Sequence, residues 1–229
     1  MPVKALIVTA TNAEAEIIKR FAISHDSSGN FISGDTSVRI LVTGVGTVAT
    51  TWALTDWLAS NPWPDLVINA GIAGSYRKEI KPGEVVMPVS DCFADAGIET
   101  GKGFMTLSEA GLEDPDRFPF RKGRIVAGNR FTGEAAPGIK AVTAITVNTA
   151  SGSESTIERL RKKYDPDIET MEGAAFFYVC RMVNIPCIAL RAVSNMVEPR
   201  NRDKWEIRLA LDNLSLKLKE ILEKPLMTI

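Results

Sequence analysis

Three short segments hold the residues of this 229-residue chain whose types and spacing suit chemistry. The first, Ala10-Thr11-Asn12-Ala13-Glu14, puts a carboxylate just after an almost wholly apolar run, Val3–Thr9. Thr11-x-x-Glu14 is also the spacing of a capping box, which alone would explain Glu14. The second, Glu169-Thr170-Met171-Glu172-Gly173-Ala174, sets Glu172 before an apolar helix, where negative charge complements the helix N-terminus. The third, Arg191-Ala192-Val193-Ser194-Asn195, closes the last apolar strand with a hydroxyl and an amide that would also suit a turn or cap. Glu198 to Trp205 follows, with Pro199 and alternating charges, and reads equally as a solvated loop. These are materials for proton transfer and hydrogen bonding without imidazole, thiolate or metal.

Scarcity supports that emphasis. His25 is the single histidine, so no histidine-rich metal cage can form. Cys92, Cys180 and Cys187 are odd in number and lack C-x-x-C spacing, which indicates neither a disulfide framework nor a zinc site. Gly44-Val45-Gly46-Thr47-Val48-Ala49 matches G-x-G-x-x-A, but a dinucleotide site needs an acid ending the next strand. Here Asp65 begins that strand and Asn69-Ala70 end it, so a tight turn with close backbone approach to a ligand is the better reading. The Walker lysine pattern and G-x-S-x-G are absent, and no cofactor or metal is expected. Lys and Arg total 27 against 28 Asp and Glu, which gives no electrostatic footprint for nucleic acid or an anionic membrane. With no long apolar run and no leader-like start, a cytoplasmic location is the default expectation.

The elements that must position these residues alternate. Buried strands are expected at Val3–Thr9, Asp65–Ala70, Ala141–Val147 and Pro186–Val193, with a shorter one at Val85–Val89 broken by Pro88. Helices are expected from Thr11 to about Phe21, from Thr47 to Ser60, from a Ser155-x-x-Glu158 cap to Tyr164, from Gly173 to Val183, and from Arg202 to Glu223. Asn30–Ser33, Gly34-Asp35 and Val38–Val42 read as a hairpin, Gly71–Ser75 as a small-residue loop, and the glycine-rich stretch 97–138 as mostly loop. The pattern predicts one domain over residues 1–229, an α/β/α sandwich on a mostly parallel, mixed sheet. Ligands of such folds bind at strand ends, here just after residues 9, 43, 70, 147, 171 and 193. All three chemistry-bearing segments lie at those ends.

In this order and spacing, Gly44-Val45-Gly46, Asn69–Gly74, Glu169–Ala175 and Arg191–Asn195 resemble the purine nucleoside phosphorylase and nucleosidase family over nearly the whole chain. Within it, Ser194–Arg202 with Trp205, Ala10-Thr11 with Glu14, and Val147-Asn148-Thr149 are most similar to the branch that hydrolyses futalosine in menaquinone synthesis. The resemblance implies a nucleoside phosphorylase-like fold, a small nucleoside substrate and a homo-oligomer. It implies that Glu14 activates water, with Glu16 one turn away as the rival base. Glu172 and the Met171 backbone would bind the ribose hydroxyls, and Asn195 the purine. The loop of Asn148 and Ser151 would flank the base, near Gly71 and Ile72. Arg200 or Arg202, beside Trp205, would meet the substrate's aryl carboxylate, unless they pair with Glu198 or Asp203.

Two physical arguments refine this picture. Asn195 stands where relatives that cleave 6-aminopurines carry Asp; its amide can accept at N7 while donating to a 6-oxo group. The first loop has no arginine to hold phosphate, and Glu14 would repel that anion, so water is favoured as the nucleophile. Alternatives are a methylthioadenosine/adenosylhomocysteine nucleosidase, a 6-oxopurine nucleoside phosphorylase, and a non-catalytic nucleoside-binding protein.

Overall fold

Alternation along the apolar strands decides which helices each side chain meets. In the computed structural model, which describes residues 3–20, 24–25, 30–101, 103–128 and 138–223, β1 spans Val3–Thr9 and α1 Asn12–Lys19. β2 (Ser24–His25), β3 (Phe31–Ser33) and β4 (Thr36–Val42) lead to α2 (Thr47–Ser60), β5 (Leu66–Ser75) and β6 (Val85–Asp91). Two hairpins follow, β7 (Gly97–Thr100) with β8 (Gly103–Thr106), and β9 (Phe120–Arg121) with β10 (Arg124–Val126). The rest is β11 (Lys140–Thr146), α3 (Glu154–Tyr164), β12 (Ile168–Thr170), α4 (Gly173–Met182), β13 (Cys187–Met196), a 3-10 turn (Arg202–Lys204) and α5 (Ile207–Glu223).

Ala5, Ile7, Ile68, Ile188 and Leu190 pack on Ile17 and Ile18 of α1 and on Leu214, Leu218 and Ile221 of α5. Their neighbours Leu6, Val8, Val67, Cys187 and Ala189 turn the other way, onto Leu54 and Leu58 of α2 and Phe176, Phe177 and Cys180 of α4. This is the expected layering of helices on both faces of a mixed sheet.

One feature departs from a simple sandwich. β5 pairs in parallel with β13, β13 antiparallel with β6, β6 parallel with β11, β11 parallel with β12, and β12 antiparallel with β5. The five strands therefore close on themselves. Two ten-residue strands, β5 and β13, make this possible. The segment Gly71–Ser75, expected as a loop, is the second half of β5 and pairs with both β12 and β13. Small residues there signal close packing of strands, not a turn.

Other boundaries also shift. The cap of α3 is Ser153, whose hydroxyl accepts from Thr156 N; Ser155 does not cap it. The terminal helix begins at Ile207, since Arg202–Lys204 form only a 3-10 turn capped by Asn201. Pro88 lies within β6, opposite Val142 and next to a register shift, where a missing donor is tolerated. His25 pairs with Phe31 at the far edge of the sheet, whereas the chemistry-bearing segments meet at its centre. Part of the glycine-rich stretch, residues 129–137, lies outside the described residues. Among the described residues, no helix is long and apolar enough to cross a membrane.

Candidate active site

The ends of β1, β5 and β13 and the β12–α4 junction enclose a cavity of about 240 Å³. Glu14, Ile72, Ser151, Met171, Glu172, Asn195 and Arg200 all line it. A larger cleft of about 670 Å³, between the β7–β8 hairpin side and Tyr178, contains none of these residues.

Glu14 is both capping residue and cavity wall. Thr11 Oγ1 accepts from Glu14 N at 3.3 Å, and Glu14 Oε2 accepts from Thr11 N at 2.9 Å, which completes the capping box. Oε2 also accepts from Ala10 N and Thr11 Oγ1, and Oε1 from Ile72 N at 3.2 Å. The cap is thus what orients the carboxylate. Gly71 contributes by lacking a side chain, because a Cβ there would stand 2.8 Å from Glu14 Oε1. Glu16 faces solvent instead and pairs with Lys19 Nζ at 2.6 Å.

Glu172 is held from afar. Its Oε1 accepts from Gly46 N at 3.0 Å, and Gly46 adopts a positive φ of 97° that suits glycine. Burial raises the Glu172 pKa and the Glu14 charge adds to it, while Arg191 and the amides of Gly46 and Met171 pull it down. The helix start carrying Glu172 rests on hydroxyls: Gly173 N donates to Thr170 Oγ1 and Ala174 N to Thr146 Oγ1. Thr146 Oγ1 donates in turn to Asp91 Oδ1 at 3.1 Å.

Two charged residues beneath the cavity were not singled out from the sequence as site residues. Asp91 is fully buried, and burial pushes its pKa up to about 7 against the pull of Arg124, Thr146, the Cys92 amide and Arg191. Its Oδ2 has no hydrogen-bond partner among the described residues. Arg191 is also buried and donates to Asn69 O, Leu190 O and Asn69 Oδ1. Burial lowers its pKa, but Glu172, Glu14 and Asp91 together favour the cation. Its field ties the two cavity carboxylates together. A strand arginine inside an apolar run was the available signal.

Asn195 sits beyond a β-bulge, where Ser194 is the extra residue between the pairs Val193–Ala73 and Asn195–Gly74. Ser194 Oγ donates to Asn195 Oδ1 at 2.8 Å, and Asn195 Nδ2 donates to Met196 O at 3.0 Å. One lone pair and one N–H of the amide remain for a ligand. Ser151 also lines the cavity, but its amide and hydroxyl both donate to Glu169, which the sequence reading left unassigned.

Not every expected residue converges. Asn148 is turned away, with Nδ2 donating to Asp95 and Oδ1 accepting from Thr47 Oγ1. Arg200 lies at the cavity rim with its guanidinium 5.6 Å from the Trp205 ring centre, and Arg202 stands 6.0 Å from the same ring but outside the cavity lining. Neither pairs with Glu198 or Asp203 among the described residues; Glu198 pairs with Lys204. No group of three or more His, Cys, Asp or Glu among the described residues could hold a metal ion.

The sequence model of the phosphorylase superfamily matches residues 4–224. The chain belongs to the phosphorylase superfamily. Among its relatives there, the futalosine hydrolase of Acidothermus cellulolyticus is 33% identical over 227 residues, covering 93% of this chain and 88% of that protein. The futalosine hydrolase of Streptomyces coelicolor is 34% identical over 152 residues, which span 66% of this chain and 62% of that relative. The solved structure of Helicobacter pylori futalosine hydrolase superposes with a TM-score of 0.80 over 98% of this chain and 99% of that one, at 18% identity.

Proposed function

We propose that this protein hydrolyses the N-glycosidic bond of futalosine, releasing hypoxanthine and dehypoxanthine futalosine for menaquinone synthesis. The observation that carries it is Asn195, an amide in the cavity with one acceptor and one donor position unfilled. Oδ1 accepts from N7 as charge moves onto the departing purine, and Nδ2 donates to the 6-oxo group. Glu172 and the Met171 backbone hold the ribose hydroxyls, and the Glu172 carboxylate stabilises positive charge growing on the sugar ring. Glu14 Oε1, with one protein donor, keeps a lone pair to take the proton of the attacking water.

Water is the nucleophile on electrostatic grounds. Arg191 is buried outside the cavity lining and gives three of its N–H donors to Asn69 and Leu190, and a phosphate in the cavity would meet the carboxylates of Glu14, Glu169 and Glu172. Arg200 at the rim receives the substrate's aryl carboxylate. Arg200→Ala should raise KM for futalosine about 10- to 100-fold, in line with a lost charged hydrogen bond. The reading includes a homo-oligomer, supported by Val48 and Trp52 of α2, which are 80% and 71% exposed, whereas Trp57 is half-buried against the core. It also includes a cytoplasmic location, supported by three unpaired cysteines.

One assay tests the proposal. Futalosine, inosine and methylthioadenosine are each incubated with and without phosphate, and released base is measured. Hypoxanthine from futalosine at a rate independent of phosphate is the expected result. Phosphate-dependent cleavage or preferential release of adenine would overturn it.

A further inference from the structure

α4 opens without a side-chain cap of its own. Its N-cap residue is Glu172, whose side chain makes no cap hydrogen bond among the described residues and instead takes Gly46 N at 3.0 Å. α1 and α3 differ, since Thr11 and Ser153 each accept from an amide of the helix they open. The first amides of a helix have no intrahelical partner, and buried ones need an acceptor from elsewhere.

The sheet supplies those acceptors. Thr146 and Thr170 stand abreast on β11 and β12, Asp91 ends the neighbouring β6, and all three are buried. Ala174 N donates to Thr146 Oγ1 at 2.8 Å, and Gly173 N to Thr170 Oγ1 at 3.2 Å. The two hydroxyls lie 3.2 Å apart, and Thr146 Oγ1 is 3.1 Å from Asp91 Oδ1. Each hydroxyl has a single hydrogen to give. Asp91 Oδ1 already accepts from Cys92 N at 2.7 Å, so it is the bare oxygen of that carboxyl. Thr146 therefore donates to Asp91, and Thr170 donates to Thr146. The chain runs one way and keeps a lone pair on each threonine for a helix amide.

We propose that Thr146 is a positioning residue for Glu172: anchored on Asp91, its hydroxyl takes the capping role at the start of α4 and leaves the Glu172 carboxylate to the cavity. The inference rests on Glu172 binding the ribose. A carboxylate beside a helix N-terminus is drawn to the amides there. Because Thr146 already satisfies Ala174 N, the Glu172 carboxylate gains nothing by turning back and stays on Gly46. Without the Thr146 hydroxyl, Ala174 N is a buried donor in need of an acceptor. The carboxylate two residues before it, at the N-cap position, supplies one and leaves the cavity.

A double-mutant cycle on the full-length protein tests this, with Thr146→Val and Glu172→Ala made singly and together and Thr146→Ser as the control. Tm and kcat/KM for futalosine are measured. Thr146→Val keeps the shape of the side chain and should lower kcat/KM about 10- to 100-fold. Thr146→Ser restores the hydroxyl and should stay within about 3-fold of wild type. In the Thr146 protein, Glu172→Ala should move Tm by less than about 2 °C, because relief of a buried charge offsets the lost bond to Gly46. In the Thr146→Val protein the carboxylate has become the cap, so the same change should lower Tm by roughly 2–8 °C. The activity cost of Thr146→Val should also vanish once Glu172 is alanine. Equal Tm changes from Glu172→Ala in both backgrounds, or an activity cost that persists without Glu172, would mean that Thr146 only supports the fold, and the proposal falls. A wild type inactive on futalosine defeats the substrate reading alone, and the Tm cycle still decides the exchange of caps.

Discussion

Glu14 and Glu172 face one cavity, yet opposite kinds of structure hold them. Glu14 is fixed by its own neighbourhood, with Ala10, Thr11 and the capping box supplying most of its donors. Glu172 depends on distant parts of the chain: Gly46 lies 126 residues away, and the helix start stands on Thr146 and Asp91. A local device tolerates change elsewhere in the fold. A long-range one transmits it.

The largest effect should come at the local end. Glu14→Gln should lower kcat about 10²- to 10⁴-fold, whereas Glu16→Gln should leave turnover within about 2-fold. Equal losses in steady-state assays would erase the distinction between the buried cap and the exposed neighbour.

Alanine at two glycines then compares the supports directly. At Gly173 a Cβ would stand 2.2 Å from Asp91 Oδ2, against a buried carboxylate that cannot easily retreat. Gly173→Ala should cost about 1–3 kcal/mol in denaturant unfolding and reduce kcat/KM by moving Glu172. Gly71→Ala crowds Glu14 Oε1 and should lower kcat with a smaller stability loss. A Gly173→Ala enzyme with native activity would show that Glu172 does not depend on the platform.

The pH profile is the next smaller effect. Glu172 acts as an anion and its pKa is raised, so activity should fail on acidification earlier than for an ordinary carboxylate. An acid limb of kcat/KM inside the usual carboxylate range, near pH 4, would contradict this.

Smallest should be a stability signature of Asp91. Its folded pKa of about 7 lies above its unfolded value, so the native state binds the extra proton between the two. Wild-type stability from this group is therefore greatest at low pH and falls as pH rises from about 4 through about 7. Asp91→Asn should flatten that fall, read as Tm at pH 5 and pH 8. An unchanged slope would mean that Asp91 titrates elsewhere.

The same contrast explains what was legible in the chain. Thr11-x-x-Glu14, the ends of α2 and the split of β1 side chains between two helix layers follow from spacing alone, because neighbours in sequence settle them. Gly71–Ser75 did not read as strand, since small residues look like a turn until the strands they pack between are known. The Ser194 bulge left no pattern of its own, and Asn148 pointed toward the site by position while its amide found Asp95 instead.

The sequence by itself determined the helix-opening carboxylate, the apolar strands, and the superfamily resemblance in Met171-Glu172 and Arg191–Asn195. Only the tertiary structure decided that Glu169 and Asn195 flank one glycine, that Arg191 lies buried beneath two carboxylates, and that Asp91 supports the start of α4. The reason is range. Caps and periodicity come from interactions within a few residues, whereas the cavity exists because strands from Leu66 to Met196 close into a cycle.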